Sequence, residues 1–200
     1  MKSAILTFVI ACFVIVGVKA QDAGSQFDEA RNAYKSGDLN NSRFALQQAL
    51  NEIDHAIGQE IIKILPKIMG EMIATDNDTE MTTANLGIAG LSVIRSYKGE
   101  NETTASIQLI GDSPLLAGVN AILSIPFFGG GDPNQKRIKL GSYKGLLQKS
   151  ASDTELISWD IQVPFQSSLL TFHCVGISDE KAVMEMVNTI PIEKIAKLVQ

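Results

Sequence analysis

Few of the side chains that redox, metal and nucleophilic chemistry need are present. The 200 residues include two cysteines, two histidines and one tryptophan. No Cys/His group has metal-ligand spacing, so no metal site is expected. Neither a G-x-S-x-G nor an H-E-x-x-H pattern occurs. The scarcity of cysteine excludes a disulfide-stapled mini-protein. Cys174 lies in an apolar, strand-like run, where it reads as a small buried hydrophobe rather than a reactive thiol. His173 is its neighbour, and neighbours on a strand point to opposite faces, so the two cannot pair locally. His55 is remote in sequence. The chain reads as non-enzymatic, with no cofactor. Gly129-Gly130-Gly131 does not alter this, because Asp132-Pro133 follows instead of the Lys-Ser/Thr that opens a phosphate-binding helix.

Positive charge is also short. Seventeen Lys and Arg stand against 22 Asp and Glu, a net charge of −5. Without a basic stripe, nucleic acid is not an expected partner, and anionic membrane surfaces are disfavoured. Lys136, Arg137 and Lys139 form the one basic cluster, just after Phe127 and Phe128. Paired aromatics beside charge make these five residues the candidate interaction surface. The alternative is that both Phe tuck under a sheet edge and the charges are simply solvated. No uncharged apolar run reaches the ~20 residues of a spanning helix.

The first twenty residues have the three-part layout of an export signal. Lys2 gives the positive start, residues 4–18 the apolar stretch, and Val18-Lys19-Ala20 the small-x-small cleavage pattern before Gln21-Asp22. Residues 1–20 are therefore expected to be a signal peptide, and the protein exported, periplasmic or extracellular. Lys2 and Lys19 leave with it, so 15 basic and 22 acidic residues remain, a net charge of −7. A retained anchor is one alternative. Another is lipidation at Cys12, since Val9-Ile10-Ala11-Cys12 resembles a lipoprotein box; a membrane would be a partner only then. The apolar Phe13-Val14-Ile15-Val16 just beyond argues against it.

The pattern predicts an α+β fold: an N-terminal antiparallel helical hairpin, then an antiparallel β-sheet with a central helix and C-terminal helices packed on one face. The hairpin region is 21–75 and the sheet domain 84–200. Helices are expected over 27–36, with Phe27, Ala30, Ala33 and Tyr34 on one face, and over 39–72, with Phe44, Leu46, Ala49, Leu50 and Ile53. Pro66 should break the second near Leu65. Residues 75–83 read as a linker; Asp76-Asn77-Asp78 lacks the Gly and Glu spacing of a calcium loop. Strands are expected over 86–97, 103–110, 136–149, 156–165 and 168–175. Ser113-Pro114 should start the central helix, and Ser178 and Pro191 the last two. Asn-x-Ser/Thr triplets at Asn40, Asn77 and Asn101 would matter only in a eukaryotic secretory route.

Ala30, Tyr34, Gly37, Asp38, Ala45, Leu46, Ala49 and Leu50 together resemble one tetratricopeptide-type repeat, which implies a helix-turn-helix closed by small residues. Ser42 stands where that family has a close-packing Ala, and no Pro marks the end. No second copy follows, whereas repeat arrays need about three. The order of strands, central helix, three-strand meander and C-terminal helix resembles the small domain of PsbP-like exported proteins and, in layout, exported bacterial proteins without an assigned activity. The expected function is binding of a protein or envelope component. The alternative is a small apolar-ligand carrier with a pocket between helices and sheet.

Overall fold

The computed structural model describes residues 23–75, 80–82, 90–125, 134–151 and 156–199. Residues 1–20, expected to be a signal peptide, with Cys12 among them, lie outside these, as do Asn77, Phe127, Phe128 and the triple glycine.

Two helices open the described chain, α1 (Ala23–Lys35) and α2 (Leu39–Ile64). Gly37 turns between them at φ +82°, a backbone that glycine adopts without strain. Asp38 caps α2, its side chain accepting the Asn41 N–H at 3.1 Å. The helices meet through small side chains: Ala30, Ser42, Ala45 and Ala49 are buried, and Ser42 Oγ donates to the Ala30 carbonyl at 2.9 Å. Pro66 cannot continue the ladder and holds Leu65 extended, which ends α2. The expected continuation of this helix to Met72 is therefore corrected. Ile68–Met69 (β1) and Met72–Ala74 (β2) instead pair as a tight antiparallel hairpin across Gly70-Glu71.

The remaining strands are β3 (Glu80–Thr82), β4 (Ser92–Lys98), β5 (Thr104–Gly111), β6 (Gln135–Leu140), β7 (Tyr143–Ala151), β8 (Ile157–Phe165) and β9 (Ser168–Val175). Helix α3 (Leu116–Ser124) follows β5, while α4 (Glu180–Val187) and α5 (Ile192–Leu198) close the chain. Among the described residues nine strands form one antiparallel sheet, ordered β1-β2-β4-β5-β9-β8-β7-β6, with β3 also on β4. The α+β architecture is as expected, with four local corrections. The linker expected over 75–83 contains β3, paired with the first half of β4. The single strand expected over 136–149 is the β6–β7 hairpin, folded at Gly141 with φ +58°. The central helix starts at Leu116, after Ser113 and Pro114 have formed a turn, and Asp179 rather than Ser178 caps α4.

Side-chain alternation divides the sheet into two faces. One row on the core face runs Arg95, Ile107, Phe172, Ile161, Leu147, Lys136 across six strands. Helices α4 and α5 cover this face with Val183, Val187 and Ile195, all fully buried, and the end of α2 adds Ile61. The short α3 lies on the opposite face. Arg137 and Leu146 stand in register there, and Arg137 donates to the carbonyls of Ile122, at 2.7 Å, and Ile125 at the end of α3. Among the described residues no helix is long and apolar enough to cross a membrane.

The hairpin is fastened to the sheet by two polar side chains on the core face of β4. Arg95, buried, donates to the Leu65 carbonyl at 2.9 Å. Tyr97 Oη donates to the Pro66 carbonyl at 2.8 Å. A guanidinium suits the negative end of a helix, whose last carbonyls lack partners. Burial pushes the Tyr97 hydroxyl up to about 12, against the pull of the adjacent Arg95 charge.

Candidate functional site

The basic cluster is split by the strand that carries it. On β6, Lys136 points to the core face and pairs with Glu180 at the start of α4. Arg137 and Lys139 point to the other face, where Arg137 is engaged by α3 and Lys139 faces Lys144 across the hairpin. The three cations therefore form no common patch. They lie on an edge strand, where charge discourages strand-to-strand association. The flanking Phe127 and Phe128 lie outside the described residues.

A larger exposed feature lies on the hairpin. Its apolar residues were expected to bury one helix against the other, but only the small ones do so. Phe27, Tyr34, Leu39, Phe44, Leu46 and Leu50 remain exposed, Tyr34 at 69%. The cause is steric: Ala30, Ala45 and Ala49 let the helices approach until nothing larger fits between them. Leucine, phenylalanine and tyrosine are then left on the outside. Leu39, Leu46 and Leu50 recur along one side of α2, while Phe44 stands on another; exposed apolar patches mark interaction sites.

A cleft of about 570 Å³ opens between α4 and the turns at one end of the sheet. Met72, Met186, Ile177 and Ala182 give it apolar walls, and Thr103 and Thr189 add hydroxyls. Its size lies within the range of small-molecule sites. Methionine supplies flexible, polarizable walls that adapt to irregular ligands.

The two residues with catalytic potential, His173 and Cys174, are separated as strand alternation requires. Cys174 is fully buried, and desolvation raises its thiol to about 11, which keeps it protonated at neutral pH. His173 faces outward in the row Ser106, His173, Asp160, Gln148. Its Nδ1 lies 2.9 Å from Asp160 Oδ1, and that hydrogen bond raises the His173 pKa against the opposing effect of partial burial. Ser, His and Asp in register bring a hydrolytic triad to mind. Acyl transfer also needs backbone N–H groups free to hold an oxyanion, and here the row crosses β5, β9 and β8, interior strands whose amides are committed to the ladder. The pair links β8 and β9 across the sheet through this hydrogen bond.

The leucines on α2 have a sequence signal that amphipathicity alone does not interpret. Leu46, Leu50, Ile53 and Ile57 are spaced four, three and four apart, the period of a helix-to-helix seam. No family model, curated protein or solved structure matches the chain.

Proposed function

We propose that this chain is an exported, non-enzymatic domain that binds a protein or envelope component through its helical hairpin. The observation that carries the reading is the outward display of Leu39, Phe44, Leu46 and Leu50 by a hairpin already closed by alanines. The export part rests on Lys2, the apolar stretch and Val18-Lys19-Ala20. The test is affinity capture from the extracellular or envelope fraction with the wild-type chain and with Leu46→Ser/Leu50→Ser. Loss of a captured protein in the variant, with its circular dichroism unchanged, supports the reading. Equal capture by both sinks it. An N-terminus at Gln21 in mass spectrometry supports cleavage; an N-terminus at a lipidated Cys12 replaces free export with a tether.

The cleft against α4 supports a second reading, a carrier of a small apolar ligand. Native mass spectrometry of the protein taken directly from its producing cells tests it. A retained apolar compound that is lost in Ala182→Trp supports a carrier, and an empty chain that also fails to bind added fatty acids excludes one.

A further inference from the structure

We propose that a second copy of this chain docks on the hairpin, with the two α2 helices antiparallel about a twofold axis passing close to residues 48 and 49. The inference deepens the hairpin-binding reading above and rests on it, because it names the partner of that surface.

The seam comes first. Leu39, Leu46, Leu50, Ile53 and Ile57 follow a 3.5-residue period along α2, with Arg43 filling the one apolar position the series skips. The lower end of this stripe is used within the chain: Ile57 is half-buried and Ile61, one turn on, is in the core. The upper end is bare, with Leu39, Leu46 and Leu50 exposed at 62%, 45% and 57%. A stripe that is core at one end and solvent at the other continues an existing hydrophobic contact rather than starting a new one. Ala45 and Ala49 occupy the adjoining side of the helix and hold α1, so the stripe is free to face outward.

Charge then selects the occupant. Arg43 and Asp54 are eleven residues apart, which is about three turns, so they flank the same edge of the stripe about 16 Å from one another. In an antiparallel helix pair like edges face each other. A twofold axis midway between the two residues therefore sets Arg43 beside Asp54 of the partner subunit, and the same contact recurs on the other side of the axis. That axis also stacks Leu46 on the partner's Leu50 and Leu39 on the partner's Ile57. The aliphatic stem of Arg43 lies over the partner's Ile53 while its head reaches the carboxylate. A parallel pair leaves Asp54 without a cation.

Within one chain, Asp54 is poorly provided for. Its Oδ2 lies 3.4 Å from the point where a Cβ on Gly90 would stand. Burial and the nearby Asp112 carboxylate both raise its pKa. None of the ion pairs among the described residues uses Arg43 or Asp54. A guanidinium arriving from outside supplies what this carboxylate lacks.

The test is sedimentation equilibrium of the full chain, as its producing cell processes it, from about 1 to about 100 μM. A dimer is expected for the wild type. Arg43→Glu and Asp54→Lys, each alone, should weaken it at least about tenfold, because each creates two like-charge contacts. Mixing these two single variants should restore a dimer, one subunit from each, since both contacts are then attractive; the double variant in one chain should self-associate as the wild type does. A wild type that stays monomeric throughout overturns the proposal. So does a dimer that both single variants leave intact, or one that their mixture fails to restore. If the wild type is monomeric but Leu46→Ser/Leu50→Ser still abolishes capture of another protein, the hairpin-binding reading stands and the self-association proposal alone fails.

Discussion

The hairpin and the sheet domain use apolar residues in opposite ways. In the sheet domain the large side chains are inside: Phe172, Ile161, Leu147 and Trp159 fill the layer under α4 and α5. In the upper hairpin the inside is alanine, serine and the amide of Gln26, and the large apolar side chains are outside. Apolar content alone therefore does not locate a core. What matters is whether the residues on a face are small enough to let two backbones close or large enough to hold them apart and fill the gap. A region closed by alanines buries little area per residue, so it depends on whatever it touches next.

The comparison predicts unequal costs for similar truncations. Phe172→Ala should lower unfolding free energy by about 3–5 kcal/mol. Leu50→Ala in dilute protein should change it by no more than about 0.5 kcal/mol. Urea titrations of both variants check this, and similar losses would break the contrast. The joint between the regions comes next. Arg95→Met removes the donor from the Leu65 carbonyl and should cost about 1–3 kcal/mol. Hydrogen exchange should then speed up in the last turn of α2 while β8 and β9 stay protected. Ala49→Leu forces a large residue between α1 and α2 and should cost about 1–3 kcal/mol, confined to the hairpin by the same measurement.

Smaller effects lie on the sheet. The His173 pKa is raised in the folded state, chiefly by its bond to Asp160. Its stabilising contribution is therefore fully present below the unfolded value of ~6.5 and is lost as pH rises through the folded value. Both groups are more than a third exposed, so the whole effect should stay below about 1 kcal/mol. Comparing wild type and His173→Gln from about pH 5 to about pH 8.5 measures it. Cys174, with its thiol held near 11, should react with a maleimide at pH 7 only as fast as the sheet opens. Fast labelling of the folded protein would show that the core is looser than its packing implies.

Much of the sheet was legible because its signals are local. Alternation along 157–165 and 168–175 is clean, and Leu170, Phe172 and Cys174 face inward as that alternation requires. Pro66 marked the helix end to within a residue of Leu65. The β6–β7 turn was not legible, because Ile138, Leu140, Tyr143 and Leu146 look like one apolar series unless Gly141-Ser142 is taken as a reversal. That reversal is secured from far away: Ser142 N–H and Oγ both donate to Glu193 Oε1, at 2.8 and 2.7 Å. β3 was hidden for a related reason, since Glu80–Thr82 is strand only by virtue of its partner β4. The basic cluster read as one surface because adjacency in sequence is not adjacency on a strand. For the hairpin stripe, amphipathicity states that a face needs cover, not which molecule provides it.

The placement of β9 bears on the order in which the protein can form. It is the last strand made, yet it sits between β5 and β8. Until residues 168–175 exist, β1–β5 and the β6–β8 meander are two separate fragments, each with an open edge. Ile107 must wait for Phe172, its neighbour in register. Closure of so distant a pairing is slow, so the nascent chain should remain threadable until residues 168–175 have been made. A chain stopped before β9 should be both unfolded and sticky.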